Sequence, residues 1–161
     1  MVASSIITTT NLPQYSAENT EIEITIVVTA HGGTITDPSF GISLNSGVAA
    51  DLYDGWTWTP LNTIEWRTFM QPGTLADGGS ATFNDFKIRF PSVSSDSLCS
   101  IDFIPGHYAG GINVHDGPIV TKTTMVTNQV VPTDNTMYYI LAAIGVAAAA
   151  AIGFMILRRK R

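Results

Sequence analysis

Apolar and polar residues alternate along much of the chain with the period of two that is typical of β-strands. The pattern is clearest in "EIEITIVVT", "ATFNDFKIRF" and "LCSIDF". In each segment the apolar residues fall on one face, which predicts a half-buried strand whose polar face meets solvent. The residues predicted to face the core are Ile22, Ile24, Ile26, Val28, Phe86, Ile88, Phe90, Cys99, Ile101 and Phe103.

Shorter segments extend this pattern, and turn-forming residues separate them. Further strands are predicted at "SIITTT", "SFGISL", "YAGGINV" and "IVTKTTMV", with Gly, Pro and Asp in the intervening segments. About eight or nine short strands without a soluble helix predict an all-β fold, a β-sandwich of immunoglobulin or cupredoxin type.

The three tryptophans fall in two neighbouring segments. "WTW" and "TIEWRTF" are separated by the turn-like "TPLN", which predicts a β-hairpin. Such a hairpin would bring Trp56, Trp58 and Trp66 close together, because facing strands place their side chains in pairs.

A different pattern closes the sequence. Residues 137–157 are 21 positions without a charged side chain, enough for a helix to span about 30 Å of hydrocarbon. We therefore predict an extracytoplasmic β-sandwich at 1–127, a stalk at 128–136, a transmembrane helix at 137–157 and a basic tail at 158–161. The predicted interfacial anchors are Tyr138 and Tyr139 at one end and Arg158, Arg159, Lys160 and Arg161 at the other.

The basic tail predicts the orientation of this anchor. Positive charge favours the inner side of a membrane, so we expect the N-terminal domain outside the cytoplasm and the C-terminus inside. The segment "MVASSIITTT" lacks the basic start and apolar core of a signal peptide. A removed leader, unusual insertion as in some viral membrane proteins, and a tail anchor carrying a cytoplasmic domain stay open as alternatives.

Charge limits the possible partners of the main domain. All thirteen acidic residues precede residue 137, against four basic residues, so this part carries a formal charge of 4 − 13 = −9. Such a surface repels phosphates, which argues against nucleic acid as a partner. The lipid bilayer, other subunits of an envelope or membrane complex, and further copies of the chain are the expected partners.

Enzyme signatures are absent from the sequence. It contains no nucleophile elbow, phosphate-binding loop, dinucleotide-binding glycine motif or zinc-protease helix motif. We therefore predict a protein that is not an enzyme and has no catalytic residues or cofactor, although a role as an accessory subunit of a membrane enzyme stays open.

One constellation could bind a metal. His31, Cys99, His107 and His115 include the order His, Cys, His that resembles the blue-copper cupredoxins, and thiolate and imidazole are suitable copper ligands. Seven residues lie between Cys99 and His107, however, which is longer than the usual ligand loop. The alternative is that "PGHY" is a turn and strand start, with Tyr108, Ile112 and Val114 facing the core, His107 at the turn and His115 outward.

A second resemblance covers residues 21–91. The motifs "SGV", "DGW", "TIEW" and "FNDFKIRFP" are similar in order and spacing to the YcnI-like family of membrane-anchored, copper-associated sandwich domains. This resemblance implies a sandwich, a stalk, one helix and a basic tail. It also implies copper binding through an N-terminal histidine assisted by a tryptophan, but this chain begins Met1-Val2-Ala3 and His31 is internal.

These observations predict a single-pass membrane protein that acts as a structural or interaction subunit of an envelope or membrane complex. Small residues in "AAIGVAAAAAIG" would permit close helix contacts and hence assembly. One alternative is a copper-binding module for electron transfer, copper delivery or service to a membrane copper enzyme. Another is a virion membrane or spike protein.

Overall fold

The computed structural model describes residues 3–128, and within this range the regular structure is entirely β, with no helix. The strands are β1 (Ser4–Thr9), β2 (Tyr15–Ala17), β3 (Ile22–His31), β4 (Ile35–Thr36), β5 (Pro38–Gly47), β6 (Asp51–Tyr53), β7 (Trp58–Pro60), β8 (Arg67–Met70), β9 (Thr74–Leu75), β10 (Ser80–Arg89), β11 (Ser97–Ala109), β12 (Ile112–His115) and β13 (Val120–Thr127).

Two large sheets face each other across one core. Sheet A has the strand order β1-β3-β10-β6-β7, and sheet B has the order β2-β13-β11-β5-β8, with β12 also pairing with β11. Strands β4 and β9 form a separate pair. The predicted β-sandwich is therefore confirmed. More strands form than were predicted, because five of them are only two or three residues long and too short to show a period.

The core follows the predicted alternation. The side chains of Ile24, Ile26 and Val28 on β3 are almost fully buried, and so are Cys99, Ile101 and Phe103 on β11. Phe40 lies at the centre of an aromatic cluster, with ring centroids 4.9 Å from Phe83 and 5.2 Å from Phe69. Both sheets thus contribute to a single apolar interior. Burial of these apolar side chains stabilises the folded state.

The predicted tryptophan hairpin is wrong. Strand β7 pairs with β6 in sheet A, whereas β8 pairs with β5 in sheet B. The connection between them passes from one sheet to the other: the N–H of Leu61 bonds to Ala50, and the carbonyl of Asn62 accepts the N–H of Leu44. Trp58 therefore belongs to sheet A, whereas Trp66 directly precedes a strand of sheet B.

The interpretation of "PGHY" as a turn is also wrong. Strand β11 continues through Pro105 and Gly106 to Ala109, and the chain turns instead at Gly110 and Gly111, whose φ angles are 59° and 85°. Positive φ favours glycine, which explains the position of this turn. Ile112, which was predicted to face the core, is 65% exposed.

The pairing of β11 explains how a proline fits within it. The ladder with β13 ends at Phe103, and the ladder with β12 begins at Gly106. Pro105 falls in the gap between these two ladders, so its missing N–H leaves both of them intact. On its other side, β11 stays paired with β5 from Ile101 to His107.

The predicted membrane segment, with its anchors Tyr138, Tyr139, Arg158, Arg159, Lys160 and Arg161, lies outside the described residues. Within residues 3–128, no helix has the length and apolar character needed to cross a bilayer.

Candidate functional site

The strongest polar contact near the predicted histidines joins His107 to Asp116. Nδ1 of His107 lies 2.7 Å from Oδ2 of Asp116, and both side chains are largely buried. Oδ1 of Asp116 accepts the backbone N–H of Ser5 at 3.0 Å, while the hydroxyl of Ser5 donates to the carbonyl of Gly106 at 3.2 Å. A carboxylate that orients an imidazole is an arrangement used for proton transfer, and here it also attaches β1 to β11.

Gly117 makes the close approach of β1 possible. A Cβ atom at this position would collide with the carbonyl oxygen of Ser5 and would lie 2.5 Å from Cγ of Pro105. In the sequence "HDGP", Asp116 thus provides the carboxylate that binds Ser5. Gly117, the next residue, leaves the space that lets Ser5 reach this carboxylate.

His115 lies on the opposite face of sheet B and contacts Trp66. Their ring centroids are 6.3 Å apart, and the rings are inclined by 41°. Both rings rest on Gly41, where an added Cβ would lie 3.2 Å from Cε1 of His115 and 3.0 Å from Cε3 of Trp66. A Cβ atom added to Gly106 would lie 3.3 Å from Nδ1 of His115 and 3.3 Å from Oγ of Ser39. The hydroxyl of Ser39 is buried without a hydrogen-bond partner.

The structure does not bring the four predicted metal ligands together. Cys99 and His107 lie on one extended strand, eight positions and thus about 26 Å apart at the usual strand rise. His115 is paired with Gly106, so His107, the next residue along, points to the other face. His31 is exposed at the end of β3. Within residues 3–128, no three His, Cys, Asp or Glu side chains are grouped as metal ligands would be.

Cys99 is a core residue, as the alternation predicted. Its side chain is fully buried, and its Sγ donates to the carbonyl of Val48 at 3.4 Å. Burial raises the pKa of this thiol from 9.0 to about 12, because the apolar surroundings disfavour the thiolate. The thiolate is the form that binds metals, so the position of Cys99 opposes a role as a ligand.

A cleft with a volume of about 410 Å³ lies elsewhere, on the outer face of sheet A. Glu23, Tyr53, Asp85 and Lys87 line it around a bulge in β10. At the bulge Asp85 has a φ of 66°, and two residues of β10 lie opposite one residue of β3. The alternation of apolar and polar residues did not predict this site. Its signal is the spacing in "FNDF", where Phe83 and Phe86 are three positions apart although both face the core.

Beside this cleft, Arg89 connects an acid and an aromatic ring. Its guanidinium carbon lies 4.3 Å from the ring centroid of Trp58, and its NH2 atom lies 3.1 Å from Oδ2 of Asp51. Tyr53 packs against the same tryptophan with a centroid distance of 5.4 Å. The outer face of sheet A is therefore a network of charged and aromatic side chains.

Comparisons with known proteins give a distant likeness of fold. No protein-family model matches the chain, and no curated protein matches it. Among solved structures, the chain is similar to AvmM, a protein described by the words "AvmM Catalyzes Macrocyclization in Alchivemycin A Biosynthesis". The identity is 12% and the TM-score is 0.49, with 81% of this chain and 90% of that chain covered.

AvmM is thus described as a catalyst, which contradicts the prediction that this chain is not an enzyme. The prediction rested on missing sequence motifs, and motifs belong to particular families rather than to a fold. It is therefore withdrawn. At this identity and TM-score, the likeness assigns no activity, substrate or site residue to this chain.

Proposed function

We propose that this chain displays its β-sandwich outside the cytoplasm on one C-terminal membrane helix, as a structural or interaction subunit of an envelope or membrane complex. The observation that carries the proposal is an apolar row on the outer face of sheet B. Tyr15, Met125 and Leu98 lie in direct register on β2, β13 and β11, and Tyr15 and Leu98 are 55% and 57% exposed. A contiguous apolar row on three neighbouring strands, exposed at both ends, favours recognition, whereas isolated exposed apolar residues would be ordinary.

We further infer that the sandwich is of the immunoglobulin type. The order β1-β3-β10-β6 in sheet A corresponds to the A-B-E-D order of immunoglobulin domains, and β13-β11-β5 in sheet B corresponds to G-F-C. Many cell-surface proteins use this architecture, which agrees with display outside the cytoplasm.

The proposed anchor rests on the sequence of residues 137–157. This stretch is uncharged and is followed by four basic residues, the combination that retains a helix in the bilayer with its C-terminus inside. The acidic main domain agrees with this orientation, because the inner leaflet carries the anionic lipids that would repel it.

Membrane extraction and protease accessibility of the full chain test the proposal. With a tag at the C-terminus, the chain should resist extraction by alkaline carbonate. Protease added to intact cells should remove the sandwich and spare the tag. A variant lacking residues 137–157 serves as the control and should be extracted. Extraction of the intact chain, or a sandwich that is protected while the tag is cleaved, would contradict the proposal.

A further inference from the structure

Charged side chains are divided unequally between the two outer faces of the sandwich. The strands of sheet B carry Arg67, Asp102 and Lys122 as their only Asp, Glu, Lys or Arg residues. Arg67 pairs with Ile42 and Lys122 pairs with Ile101. Because Ile42 and Ile101 face the core, the register places both basic residues on the inner face of sheet B and not on its outer face. Of these three residues, Asp102 alone belongs to the outer face.

Asp102 presents little charge to solvent. It is 8% exposed, and its two carboxylate oxygens accept hydrogen bonds from Asn45 Nδ2 at 2.7 Å and Thr121 Oγ1 at 2.6 Å. Both neighbours are neutral side chains that already satisfy the carboxylate. The outer face of sheet B is therefore an almost uncharged surface on a domain that is strongly acidic overall.

The outer face of sheet A differs in this respect. Lys87 and Arg89 form ion pairs there with Glu21 and Asp51 at 2.9 and 3.1 Å, and Glu23 lies directly opposite Lys87. A surface of this kind is well solvated as it stands. Covering it would remove these charges from water, which is unfavourable unless the partner supplies matching groups.

Small polar side chains and larger apolar ones share the uncharged face. Ser100 and Thr123 are paired on neighbouring strands and lie on this face, while the rings of Trp66 and His115 cover Gly41. Tyr15 and Leu98 at one end and Met70 near the other are 55%, 57% and 44% exposed. Apolar and neutral polar groups of this kind are removed from water at a much smaller cost than charged groups.

We propose that two copies of this chain associate through the outer faces of their B sheets, around a two-fold axis. Charge identifies the occupant. Because residues 1–136 carry a formal charge of −9, a second copy would be repelled least at the face where charge is absent. A two-fold axis presents the same patch from both copies, and a neutral patch meets no like charge in its copy. This inference rests on the proposed function, because it names the partner of the displayed domain.

Two matched threonine variants test the interface in the full chain, held in lipid nanodiscs or detergent. Thr123 on β13 is exposed on the outer face of sheet B, and Thr82 on β10 is exposed on the outer face of sheet A. Native mass spectrometry and light scattering should show a dimer for the unchanged chain. Thr123→Glu should weaken the dimer at least about tenfold, since each copy would desolvate a new charge, whereas Thr82→Glu should leave it unchanged.

A third variant separates self-association from binding to an unlike partner. Thr123→Lys should weaken the dimer about as much as Thr123→Glu. Either substitution places a charge that must be desolvated in the interface, and the two copies then present charges of the same sign to each other. Circular dichroism and thermal unfolding must show the variants folded like the Thr82→Glu control. A dimer strengthened by lysine would overturn the two-fold arrangement.

Other outcomes overturn the proposal or separate it from the proposed function. A monomeric unchanged chain, a dimer indifferent to Thr123→Glu, or equal weakening by both glutamate variants would each overturn the interface. Carbonate extraction of the same samples reports the anchor independently. A membrane-embedded monomer would overturn the interface alone. A carbonate-soluble dimer that is sensitive to Thr123→Glu would support the interface and overturn the anchor.

Discussion

The carboxylate of Asp116 lies 2.7 Å from Nδ1 of His107 and, through its second oxygen, also accepts the N–H of Ser5. One side chain near the end of the sandwich thus fixes both a histidine of the central strand and the first strand of the opposite sheet. Because β1 is the edge strand of sheet A, this contact connects the two sheets at their margin.

Removing this carboxylate should loosen the first strand. We expect Asp116→Ala to lower the free energy of unfolding by about 1–3 kcal/mol, because it leaves a largely buried N–H without its acceptor. Denaturant unfolding measures the change. Asp77→Ala is the matched control, since Asp77 also accepts a backbone N–H, that of Gly32, but in an exposed loop. Equal losses in the two variants would show that the contact with Ser5 is not special.

Gly117 should tolerate no side chain. Gly117→Ala would place a methyl group against the carbonyl of Ser5, and we expect a loss of about 1–3 kcal/mol from overpacking. Gly33→Ala is the control, because the nearest atom to its added methyl would be the side-chain Cβ of Ala3 at 3.1 Å, rather than a backbone carbonyl in collision with it. Hydrogen exchange of the β1 amides should accelerate in the first variant; unchanged exchange there would contradict the prediction.

The buried thiol of Cys99 should be unreactive in the folded protein. With a pKa raised to about 12, Cys99 should react with an aromatic disulfide reagent at pH 8 only as fast as the protein unfolds. Adding denaturant should increase the rate sharply. Rapid reaction of folded protein would show that the core opens around this residue.

The same shift predicts how stability depends on pH. The folded thiol keeps its proton up to about pH 12, whereas the unfolded thiol loses it near 9.0. Above pH 9 the unfolded state binds fewer protons, so this group lowers stability as pH rises, by at most about 1.4 kcal/mol per pH unit. Unfolding curves at pH 8 to 10 should therefore fall more steeply for the unchanged chain than for Cys99→Ala. Parallel curves would contradict the assignment.

The bulge of β10 should depend on the backbone conformation of Asp85. At a φ of 66°, Asp85→Gly should be neutral or slightly stabilising, while Asp85→Val should cost about 1–2 kcal/mol because a β-branched residue is strained there. Thr82→Val, at an exposed position of the same strand, is the control and should change stability little. Equal tolerance of valine at both positions would mean that the bulge can be removed.

The sequence was sufficient to predict the central strands but not their neighbours. Ile24 to Val28 and Cys99 to Phe103 alternate because both strands are buried on one face, and a one-residue error would expose all these side chains. Strands such as β6 and β7 have three residues each, and their pairing depends on contacts distant in sequence. The sheet to which Trp58 or Trp66 belongs therefore could not be predicted from local pattern.

The predicted metal site was wrong for a related reason. Proline and glycine usually mark turns, and "PGHY" was interpreted accordingly. In the folded chain the flanking ladders keep the strand extended through Pro105. Continuing the alternation from Cys99 would have placed His107 on the core side and far from the thiol. The residue types indicated possible ligands, but only the continuity of the strand determines their separation.

Strand β11 also has a mechanical consequence. It is the longest strand described. Strand β13, which ends at Thr127, is bonded to it in seven consecutive register pairs and to β2 on its other side. A pull on Asn128 directed along β13 would load these bonds in parallel, as shear, rather than opening them one after another. Because β13 is bonded on both sides, tension applied to it would be distributed to β11, the central strand of sheet B, and to β2.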